Sequence, residues 1–118
     1  MAYFGRWRVN AYIRAAQVRQ ESAALAYEKA VLTARADAER ALGNYRFSLE
    51  VVRAQRAALV SAQRRLDHAK RRSEAGDVAL TDLLEVKRGM HEAEVARAKA
   101  HTGAAIDLIA LYKALGGG

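Results

Sequence analysis

SEAGDVALTDLL, residues 73–84, is the stretch that decides how this chain folds. Everything around it reads as helix, and here the chain carries the chemistry of a stop, a turn and a restart. Lys70, Arg71 and Arg72 precede it, and cations in a last helical turn favour the negative end of the helix dipole. Gly76 is placed to take the left-handed conformation that closes a helix. Thr81 is a candidate cap for a second helix, with Asp82 and Glu85 in its first turn, where carboxylates favour the positive end. A link of about five residues joins antiparallel neighbours, so residues 75–80 are predicted to be the tip of a helical hairpin. Val78 and Leu80 fall at that tip. They either fold back on the hairpin or present an apolar surface for something to dock on, and both readings stand.

Working outward, residues 11–74 are predicted to be one long helix. Val18, Leu25 and Leu32 recur at sevens, and Leu42, Tyr45, Leu49, Val52, Leu59 and Leu66 continue at threes, fours and sevens. The register slips by three between Leu32 and Leu42. A second stripe of small residues runs through Ala23, Ala30, Ala34, Ala38 and Ala41, then Ala54, Ala58, Ala62 and Ala69, so the helix is equipped to pack on two sides. Gly43, inside it, is expected to mark a close contact or a gentle bend. On the other side of the tip, residues 81–115 are predicted to be a second helix, apolar at Leu83 and Met90 and again at Ile106, Ile109, Tyr112 and Leu115. Its middle is held by alanines and charged pairs such as Glu94 with Arg97, and a break is expected near Gly103. In such a hairpin Leu42 is expected to lie beside residues 97–102. The glycines at 116–118 end the helix. In residues 1–10, Arg6 and Arg8 alternate with Trp7 and Val9 after Tyr3 and Phe4, a pattern that suits either the remnant of a strand or a frayed terminus. The fold class is therefore all-α, a long antiparallel, coiled-coil-like hairpin with a short strand remnant as an open question at its start.

Composition supports extended helix packing. Alanine fills 27 of 118 positions, which favours helix but buries little area per residue. The net charge of +7 is uneven: residues 1–76 carry 15 Lys and Arg against 7 Asp and Glu, whereas residues 77–118 carry 5 against 6. The densest basic patch, RRLDHAKRR at residues 64–72, is interleaved with Leu66, Asp67 and Ala69 and has no aromatic stacking platform, so it reads as a solvated helix face rather than a nucleic-acid site. No nucleic-acid partner is expected. There is no cysteine, hence no thiolate chemistry. His68, His91 and His101 have no metal-ligand spacing and no phosphate-cradling glycine loop follows a strand, so no enzyme activity, metal or cofactor is expected. No apolar run reaches the roughly 18 residues that cross a bilayer, and the start MAYFGRWRVN lacks the features of a signal peptide.

Three motifs carry a family resemblance. AGDVALTDLLEV resembles the periplasmic tip of TolC-type outer-membrane efflux channels, IALYKALGGG resembles the C-terminal ending of those members that serve tripartite pumps, and GRWRVNAYIRAAQVRQ resembles the family's strand-to-helix junction. The three occur in the family's order and cover nearly the whole chain, but only about the last quarter of a family member. The resemblance implies a C-terminal fragment or truncated product of a channel subunit. Its parent would be a homotrimer in the outer membrane, conducting exported small molecules through a helical periplasmic tunnel in company with a periplasmic adaptor protein and an inner-membrane pump. The chain alone is expected to have no transport activity.

Carried over by residue, Gly76, Asp77 and Val78 match the tip loop that meets the adaptor, and Asp82 and Glu85 match positions able to form an acidic ring at the tunnel mouth. Plain stabilisation of a helix start explains the same two carboxylates, and both readings stand. Ser73 and Val78 depart from members in which a tyrosine and an arginine make gate-closing bonds. The alternative to a channel part is a free-standing coiled-coil hairpin that acts by interaction alone.

Overall fold

The computed structural model describes residues 2–117. Two helices account for most of it, α1 over Ala2–Glu74 and α2 over Leu80–Ala114. Among the described residues there is no strand. The chain divides into two compact units, one ending at Asp37 and the other beginning at Ala38, and the division falls where the heptad register slips.

In the first unit α1 already runs from Ala2, so the alternation at Arg6–Val9 belongs to a helix and not to a strand. The physical reason is hydrogen bonding. A strand's backbone groups need a neighbour to pair with, whereas a helix satisfies them within the segment. Four alternating residues cannot outweigh that requirement. Met1 lies outside the described residues. Along this unit the stripe Val18, Leu25 and Leu32 stays exposed.

The second unit is the hairpin. On α1 the residues that lose exposure include Ala38, Ala41, Tyr45, Ser48, Val52, Gln55, Leu59, Ala62, Leu66, Ala69 and Ser73, an unbroken alternation of three and four, with Leu49 and Val51 beside it. On α2 they include Leu83, Val86, Met90, Ala93, Ala96, Ala100, Ala104, Asp107, Leu111 and Ala114. This is the seam of a coiled coil. Part of the expected alanine stripe shares this face with the large residues, whereas its Ala54 and Ala58 stay exposed. Ala62 and Ala69 follow Leu59 and Leu66 by three residues, which puts them side by side, and the seam is built from one row of large residues and one of small ones. On α2 a strict heptad after Met90 would bring Arg97 into the seam. Instead the seam steps to Ala96 and Arg97 stays exposed, which keeps its charge in water.

The second helix is more continuous than expected. α2 passes through Gly89 and Gly103 without a break, and α1 passes through Gly43. A Cβ added at any of these glycines would meet nothing within 4 Å, so none of them marks a close contact in this structure. A helical glycine costs about 1 kcal/mol relative to alanine, which neighbouring hydrogen bonds and seam contacts offset.

The register also differs from expectation. Ser48 already meets Asp107, so Leu42, six residues earlier on α1, is level with residues beyond 107 rather than with 97–102. Equal counts from the turn set pairing across a hairpin, and Leu42 is as far before the tip as Tyr112 is after it.

The C-terminus is closed by its glycines. Gly116 has φ +88, its N–H donates to the Lys113 carbonyl, and the Gly117 N–H donates to the Tyr112 carbonyl, both at 3.0 Å. This pair of bonds is a Schellman closure. Any side chain at Gly117 would collide with the ring of Tyr112. Gly118 lies outside the described residues.

Among the described residues only Leu66, Ala69 and Ala104 are buried. The chain exposes 9839 Å², against about 6300 Å² for a folded monomer of this mass with its own core. A two-helix, alanine-rich seam cannot supply a dry interior by itself.

Candidate functional site

The hairpin tip is built by backbone geometry. Gly76 has φ +80, the Gly76 N–H donates to the Ser73 carbonyl at 3.0 Å, and the Asp77 N–H donates to the Arg72 carbonyl at 2.9 Å. α1 thus ends in the same Schellman closure as α2, with Arg71 and Arg72 in its last turn. α2 restarts one residue earlier than the sequence suggested. Its cap is Ala79, in extended backbone with no side-chain hydrogen bond, so Thr81 lies within the helix and does not cap it. The Asp82 and Leu83 N–H groups donate to the Ala79 carbonyl at 3.1 and 3.2 Å.

Of the five residues singled out by sequence, the structure brings three together. Asp77, Val78 and Asp82 line one notch with Arg65, His68, Ala69, Arg72 and Val86. Val78 is half-buried there, with Ala69 and Val86 for apolar company, while Gly76 and Asp77 are exposed. Leu80, 69% exposed, is the more open apolar residue at the tip. The notch gathers Arg65 and Arg72 of α1 with Asp77 of the loop and Asp82 of α2, a mixed-charge surface. Sequence reasoning placed Arg65 and His68 in a solvated basic face. Arg65 and Ala69 are four residues apart, as are His68 and Arg72, and Arg65 and His68 are three, which was the signal that they share this wall.

Glu85 stands apart from the notch. Arg88 Nε lies 3.3 Å from Glu85 Oε2, its Nη2 donates to Glu85 Oε1, and its Nη1 reaches Glu92 Oε1 at 2.6 Å. The Arg88 hydrogen bonds, and then its charge, hold the Glu85 carboxyl below the ordinary carboxylate value. Asp82 remains as the acidic residue of the first turn of α2. Among the described residues no cluster of His, Asp or Glu could hold a metal ion, and no helix is long and apolar enough to cross a membrane.

Polar groups also enter the seam. The Ser48 hydroxyl donates to Asp107 Oδ2 in a part-buried setting. Nothing in an alanine-rich helix distinguishes such a serine by eye, but Ser48 falls on the small-residue row at seam spacing, which is the signal that could have found it.

The hairpin thus joins a thin coiled-coil seam to a polar notch at its tip. The chain belongs to the outer membrane efflux protein family, whose model matches residues 4–117. It is similar to the pyoverdine export outer membrane protein OpmQ of Pseudomonas aeruginosa, 35% identical over 115 residues, and to the protein of that name in Pseudomonas putida, 31% identical over 115 residues. Each match covers 98% of this chain but 24% of the relative, so the chain spans about a quarter of the length of these relatives. No solved structure matches it.

Proposed function

We propose that this chain forms part of the wall of an outer-membrane efflux channel. The hairpin from Ala38 onward is one segment of a helical periplasmic duct through which small molecules leave the cell. The observation that carries this reading is the family match over residues 4–117, taken with a hairpin that buries only three of its described residues and so needs lateral neighbours. Those neighbours are the other helices of the same subunit and of further copies in a homotrimer. Gly76, Asp77 and Val78 face a periplasmic adaptor protein that links the duct to an inner-membrane pump. Asp82 contributes negative charge near the duct mouth, and Glu85, clasped by Arg88, contributes a partly neutralised one. The role is passive conduction rather than catalysis. By its likeness to the OpmQ proteins, pyoverdine is the leading candidate for the cargo.

The tip is tested by placing a photo-crosslinking residue at Asp77 in a channel carrying this segment, expressed with its adaptor. A crosslink to the adaptor supports the reading. A channel that exports normally but never crosslinks from Asp77, Val78 or Leu80 leaves the tip as a plain turn and contradicts the docking role.

A further inference from the structure

We draw no further inference here: the strongest candidate, the mixed-charge notch at the hairpin tip where Arg65, His68 and Arg72 of α1 gather with Asp77 and Asp82, belongs to the site already described, and nothing in the structure shows what covers it.

Discussion

The Ser48 hydroxyl donates to the Asp107 carboxylate across the hairpin, joining α1 to α2 over 59 positions of sequence. A polar pair in a largely apolar seam adds less to stability than to register, because a slip along the helices parts the two groups. Ser48→Ala strands a part-buried carboxylate and is expected to destabilise the hairpin by about 1–2 kcal/mol. Ser48→Ala with Asp107→Ala is expected to cost less than the two single changes added together. Urea titrations followed by helical circular dichroism measure the coupling, and strict additivity would mean that the pair is not formed.

Gly76 tests the turn. Its φ of +80 disfavours any side chain, while the space around it is open, so the cost of substitution is a backbone cost alone. Gly76→Ala is expected to lose about 1–2 kcal/mol and Gly76→Asn distinctly less, because asparagine tolerates the left-handed region. Equal losses from the two would show that space, not φ, is limiting.

Gly43 behaves in the opposite way. It lies within α1 with nothing near its missing Cβ, so Gly43→Ala is expected to stabilise the chain by roughly 0.5–1 kcal/mol. If the same change impairs assembly of a channel carrying this segment, the glycine is kept for the approach of another helix.

The Glu85 carboxyl, held low by Arg88, gives a pH dependence with a definite sign. A group whose value is lowered on folding contributes stability above its unfolded value and loses it as the pH falls through the lower, folded one. The titration midpoint of Glu85, followed by the NMR shift of its side-chain carboxyl carbon, is expected below the ordinary 4.5 and is expected to rise in Arg88→Ala. Both groups are exposed, so added salt is expected to shrink the difference. A midpoint unchanged by Arg88→Ala would remove the clasp and restore Glu85 as an independent charge.

Much of this fold was legible. Gly76, the basic residues before it and Asp82 after it located the turn, because helix ends have chemistry that a single sequence displays. The heptads of α1 located the seam, although the alanine row looked like a second face until Ser48, Ala62 and Ala69 proved to share it with Leu59 and Leu66. Register was misjudged at Leu42 because periodicity fixes which face packs, not which residue stands opposite. The expected break at Gly103 failed because one glycine does not outweigh the surrounding helix formers. At Arg6–Val9 four alternating residues fit helix and strand alike, and the structure places them in α1. Of the tip residues, Asp77, Val78 and Asp82 do converge, whereas the Arg88 clasp on Glu85 is one of several spacings the sequence allows and only the structure selects it.

The most direct measurement of the central claim is export. In a Pseudomonas aeruginosa strain lacking its pyoverdine export outer membrane protein, a chimera carrying residues 4–117 of this chain in place of the aligned quarter is expected to restore pyoverdine release. The same chimera with Gly76→Pro, which cannot adopt the left-handed turn, is expected to reach the outer membrane poorly or to export little. A chimera that assembles in the outer membrane at parental levels yet releases no pyoverdine would contradict the reading of this hairpin as a working wall segment of an efflux channel.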